Sequence, residues 1–150
     1  MSAINKYFSY ILETADNNRG LIIRLVVGLV FLTEGIQKFL FPDLLGTGRF
    51  MKIGFSDPAF WACFTGTFEI VCGSLVLLGF LTRIASVPLL IIMITAFITT
   101  KWPILMKQGI WPFAHEYRTD FAMTLLLIYL FIYGAGKASI DSIINRSLKT

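Results

Sequence analysis

AFWACFTGTFEIVCGSLVLLGF (residues 59–80), LTR (81–83) and IASVPLLIIMITAFITTKWPIL (84–105) form the stretch on which the fold turns. Each outer block is close to the roughly 20 apolar residues that carry a helix across the hydrocarbon core of a bilayer. The three residues between them leave room only for a reversal, so the two blocks form an antiparallel helical hairpin. Pro58 precedes the first block in the position suited to a helix's first turn. Working outward, a third apolar stretch runs over 20–41 and stops at Pro42-Asp43, a turn-forming pair. A fourth runs over 119–137, after a longer polar and aromatic connection that carries Trp111, Pro112, His115, Glu116 and Arg118. The expected fold is all-α, a single-domain four-helix transmembrane bundle.

Composition supports this. Of 150 residues, 56% are hydrophobic and 15% charged, with a mean hydropathy of +0.74. A soluble domain normally carries about 25% charged residues, so a globule in water, a disordered chain and a collagen-like repeat are all excluded. The net charge of +4 comes from scattered residues without a basic run, which argues against nucleic acid as a partner. Cys63 and Cys72 fall on opposite faces of one helix, too far apart to pair, and no Cys-x-x-Cys occurs.

Short surface helices flank the spans. Ile4, Tyr7, Phe8, Ile11 and Leu12 recur on one helical face, so residues 3–14 are expected to lie along the membrane interface. The segment lacks the basic start, apolar run and cleavage site of a signal peptide, and reads as uncleaved. Beyond Gly134 and Gly136, the stretch from Ser139 reads as a second surface helix with Ser139 or Asp141 as N-cap. Four spans place both termini on one side, with seven Lys and Arg there against six on the loop side. That small excess favours cytoplasmic termini.

Charged groups inside spans cost about 2.5 to 3.5 kcal/mol each on insertion scales, so each calls for a partner or a function. Glu34 and Lys38 are one turn apart in the order that favours an ion pair. Glu69 lies about 15 Å below the loop-side boundary, near the midplane, and Glu34 about 10 Å below it. Gln37, Thr65, Thr95, Thr99, Asp120 and Thr124 fall in the same half, whereas the terminus-side half shows little besides Arg24 and Tyr133. This convergence predicts a polar, loop-side ligand pocket between the helices. Glu34, Lys38 and Glu69 are its candidate reactive groups. Gln37, Thr65, Thr95, Thr99, His115 and Asp120 are its candidate ligand-binding residues. Gly28 and Gly35, and Gly66 and Gly73, are spaced for close helix contact. One histidine makes no metal site, none is expected, and no motif encodes a cofactor.

Arg24-Leu-Val-Val-Gly28-Leu-Val-Phe31, Glu34-Gly35-Ile-Gln-Lys38-Phe, Phe68-Glu69-Ile-Val-Cys-Gly73, Leu78-Gly79-Phe-Leu-Thr82-Arg83-Ile-Ala85 and Gly134-Ala-Gly136-Lys-Ala-Ser139-Ile-Asp141 resemble, in order and spacing, the DoxX family of small bacterial membrane proteins. The resemblance implies a four-helix bundle and a redox association linked to quinol oxidation, with a quinone as the implied ligand. It supplies no agreed catalytic set. The resulting expectation is a membrane subunit that binds a quinone-like or other small amphipathic molecule and serves a redox partner protein. Permeation of a small molecule or ion through the same carboxylates, and a non-catalytic scaffold, are the alternatives. Under the scaffold reading, Glu69→Gln is expected to be tolerated.

Overall fold

The computed structural model describes residues 11–15 and 19–149. Residues 3–10 of the expected N-terminal surface helix lie outside the described residues. Helix α1 spans Arg19–Leu40, the short α2 Thr47–Ile53, and α3 Pro58–Leu78. Helix α4 (Thr82–Ala96) passes through a π-helical turn (Phe97–Lys101) into α5 (Trp102–Gln108). Helix α6 runs over Ile110–Tyr133 and α7 over Ile140–Lys149. No strand occurs among the described residues.

Local chemistry sets the ends. The Asp57 carboxylate accepts from the Phe60 backbone N–H at 3.1 Å and caps α3, with Pro58 in its first turn. At the other end Gly79 is left-handed (φ 66°), and the Phe80 N–H returns to the Leu75 carbonyl at 2.9 Å. This is a Schellman closure, and it makes the short turn into α4 possible.

Two boundaries differ from the sequence reading. The third apolar stretch does not stop at Leu105. The π turn takes in an extra residue just before Pro103, and the helix continues to Gln108. The polar connection placed before residue 119 is also helical, because Gly109 (φ 88°) alone makes the turn and α6 starts at Ile110. Residues 98–119 therefore form a helical hairpin that extends the loop-side end.

Helix α1 packs chiefly on α3 and α4 on α6, while α3–α4 and α1–α6 contacts close the ring. Val27, Phe31, Cys72, Val76, Ala85, Leu89, Met93, Met123, Leu127 and Leu130 make one core, drawn from the terminus-side part of each long helix. Outward, Ile22, Leu29, Leu40, Val71, Ile91, Ile94 and Ile132 are more than half exposed. An apolar exterior of this extent suits lipid rather than water. Three segments, α1, α3 and the continuous Thr82–Gln108 helix, are long and apolar enough to cross a membrane. Helix α6 is not among them, since His115, Glu116, Arg118 and Asp120 occupy its first half.

Candidate functional site

The site begins with glycine. A Cβ on Gly28 would stand 2.9 Å from the Gly73 carbonyl oxygen, and one on Gly35 would stand 2.7 Å from that of Gly66. Each seven-residue step up α1 is thus matched by one step down α3, so the helices cross in close antiparallel contact. In this register Glu69 is level with Leu32, about 9 Å of helical rise from Lys38. Side chains lean toward the N-terminus of their own helix. On antiparallel helices those leans oppose each other, so Lys38 reaches inward and Glu69 reaches out to meet it.

Lys38 Nζ donates to Glu69 Oε2 at 2.5 Å, with the two side chains 9% and 5% exposed. An ammonium and a carboxylate in contact with little access to water make a charge-assisted pair. Lys38 therefore pairs across the helix crossing and not down its own helix to Glu34. Glu34, half-buried one turn away, and Arg49 of α2 lie within electrostatic reach of Glu69.

The loop-side end of this pair opens onto a crevice. Lys38, Phe39, Pro42, Thr47, Ala59, Ala62 and Cys63 line a cavity of about 130 Å³. A cavity of roughly 150 Å³ holds a benzene-sized ring, so this space takes one ring and not an extended molecule. Cys63 is exposed while Cys72 is buried in the core. Beside the crevice, Phe60 stacks on Phe64 at 5.7 Å, Phe64 meets Phe68 at 4.7 Å, and Trp61 meets Phe55 at 5.6 Å. They form an aromatic wall along the outer face of α3.

The remaining candidates sort differently. Asp120 stands 3.5 Å from Lys101 Nζ, which also donates to the Glu116 carbonyl at 2.9 Å and lies 3.7 Å from the Glu116 carboxylate. The π turn delivers this lysine, and Phe97, Phe113 and Tyr117 pack together beside it. The hydroxyls of Thr95 and Thr99 donate to the Ile91 and Thr95 carbonyls of their own helix. Gln37 and Thr65 are half-buried on α1 and α3. His115 is exposed, its Nδ1 3.5 Å from Arg118 Nη1. The loop-side polar residues thus form two ion-pair clusters on different helix pairs, and the crevice belongs to the first.

The terminus-side half is much richer than Arg24 and Tyr133, which corrects the expectation of one-sided polarity. Arg24, Thr82, Ser86, Ser139, Asp141, Ser142 and Asn145 are all buried there. Asp141 accepts from the Leu81 and Thr82 N–H groups at 2.7 and 3.0 Å, and its own N–H donates to the Gly79 carbonyl at 2.9 Å. Arg24 Nη2 donates to the Ala138 carbonyl at 2.6 Å. Ser139 caps α7 through the Ser142 N–H at 3.1 Å. Burial pushes the Asp141 carboxyl above its ordinary value, against the Thr82 and Leu81 N–H groups and Arg24, which favour the carboxylate. Together these contacts fasten α7 across the α3–α4 turn and close that end of the bundle. The signal in the sequence was Arg24 itself, an arginine on the same helical face as Gly20, Val27 and Gly28, which therefore faces inward.

Comparison with known proteins places the chain among membrane proteins. The sequence model of the DoxX family matches residues 20–102. A Mycobacterium tuberculosis protein named "Uncharacterized membrane protein Rv3486" is 52% identical over 130 residues, covering 83% of this chain and 80% of its own length. A Bacillus subtilis protein named "Putative oxidoreductase CatD" is 30% identical over 130 residues, covering 86% of this chain and 89% of its own length. No solved structure matches.

Proposed function

This chain belongs to the DoxX family, and we propose that within it the chain is a redox-associated subunit of the bacterial inner membrane. In this reading it crosses the membrane four times with cytoplasmic termini and takes a quinone-like ring into the crevice at Lys38. Lys38, which lines that crevice while its ammonium pairs with the buried Glu69, is the observation that carries the reading. Two supports stand beside it. The cavity has the size of one ring, so a tailed quinone would leave its chain outside among the lipids. A relative of matching length bears the name of an oxidoreductase.

Lys38 is the only charged side chain lining the cavity among the described residues, so it is the group that holds a ligand oxygen. When Lys38 turns to that oxygen, Glu69 loses its counter-charge. A buried carboxylate without a partner is costly, and it becomes neutral by taking a proton. Ligand arrival and proton uptake are coupled in this way, with Glu34 the carboxyl group nearest Glu69 toward the loop side. The chain encodes no redox cofactor motif, and a partner protein supplies or removes electrons.

The test is to extract the protein gently from its native membrane and identify what co-purifies by mass spectrometry. A quinone retained by the native chain and lost from a Lys38→Met, Glu69→Leu double variant supports the reading. Equal recovery from both refutes it. Substrate-dependent ion or solute flux in liposomes without redox turnover would replace it with permeation.

A further inference from the structure

Helix α7 sits with its polar side inward. Asp141, Ser142 and Asn145 are buried against the bundle, while Ile143, on the other side, is 69% exposed. Ile140, partly exposed, lies about 60° round the helix from Ile143, and Ile144 and Leu148, also partly exposed, continue this apolar edge toward the buried side. The apolar edge of α7 thus faces away from the protein, and the Arg24 and Asp141 contacts fix it in that attitude.

Charge is distributed unevenly between the two ends. Among the described residues, the ends of the helices on the α7 side carry Arg19, Arg24, Arg83, Lys137, Arg146 and Lys149 against only Glu13 and Asp141. The opposite end carries six basic and six acidic residues and is neutral. Among the described residues the net charge therefore belongs to the α7 side. Arg19, Lys137 and Arg146 are exposed there, and Arg83 is half-exposed.

We propose that this end is a docking surface for anionic phospholipids, with α7 lying in the headgroup layer and Arg19, Lys137 and Arg146 engaging phosphate. An outward apolar edge beside clustered basic groups is the arrangement that holds a helix at an anionic interface. Each basic residue close to such a surface strengthens the association roughly fivefold, and salt weakens it. The proposal stands apart from the crevice and its ligand.

The experiment reconstitutes the full chain in nanodiscs of phosphatidylcholine alone or with phosphatidylglycerol added. It measures thermal stability, and the phosphatidylglycerol retained after exchange into detergent. The native chain should gain stability from phosphatidylglycerol and retain it several-fold over phosphatidylcholine, with both effects lost in high salt. Arg19→Gln, Lys137→Gln, Arg146→Gln should remove the preference while helicity by circular dichroism stays native. A matched loop-side variant, Lys52→Gln, Lys107→Gln, Arg118→Gln, should keep it, and inorganic phosphate should not substitute for the lipid. Equal behaviour in the two lipids, an unchanged triple variant, an equal loss in the loop-side variant, or full replacement by inorganic phosphate would each overturn the proposal.

Discussion

Lys38 and Glu69 change what a single substitution can reveal. With the pair buried, Glu69→Gln leaves an ammonium without its counter-charge, and breaking a buried pair in this way costs about 3–5 kcal/mol. Loss of stability in that variant is expected whether Glu69 handles protons or only holds α1 to α3, so tolerance of Gln no longer separates scaffold from active group. The Lys38→Met, Glu69→Leu double variant should recover most of the lost stability, measured by thermal unfolding in detergent, because it removes both charges together. At the other end, Asp141→Ala leaves two buried N–H groups without an acceptor, and a loss of about 2–4 kcal/mol is expected. The direction of the Asp141 shift also fixes a pH dependence. Its carboxyl is held above the ordinary value, so the folded state takes the proton more readily than the unfolded chain does. The resulting stabilisation is complete below the unfolded value of about 3.9 and is lost as pH rises through the raised value. Native stability measured relative to Asp141→Asn, which cannot titrate, should therefore fall over that interval.

The glycine faces of α1 and α3 were legible, since seven-residue spacing on each helix announces a close neighbour without saying which. What spacing alone could not give was the register. Only the facing of Gly28 with Gly73 and of Gly35 with Gly66 brings Lys38 to Glu69 instead of Glu34. Gly35→Val should push the Gly66 backbone away, cost about 1–3 kcal/mol through overpacking, and separate the ion pair, so its thermal midpoint should fall well below that of the native chain. The polar segment around His115 and Glu116 was misread as a connection because charged residues imitate a loop. In fact Gly109 suffices for the turn, and Lys101 supplies the buried partner that lets Asp120 sit on a helix. The inward polar face of α7 was hidden for a related reason. Its serines and asparagine look like solvent-facing residues until the Asp141 bonds to the α3–α4 turn show them buried.

At the scale of the molecule, an apolar core fills the terminus-side half, α7 closes that end, and the loop-side half keeps its ion pairs and its crevice. The four crossings proposed above would place Thr47 and Arg83 on opposite sides and Arg83 with Lys149. Reporter fusions at these three positions should show that pattern, and any other would remove the fourth crossing from α6. The central claim is that the crevice at Lys38 receives a ring-sized ligand, and Cys63, exposed in its wall while Cys72 is buried, offers a direct reading. The measurement is the rate of Cys63 alkylation in membranes with and without duroquinone, whose fully methylated ring leaves no unsubstituted carbon for a thiol to add to. The account predicts slowed alkylation of Cys63 in the native chain and no protection in the Lys38→Met, Glu69→Leu variant. An alkylation rate unaffected by the quinone in the native chain, or protected equally in both, would contradict it.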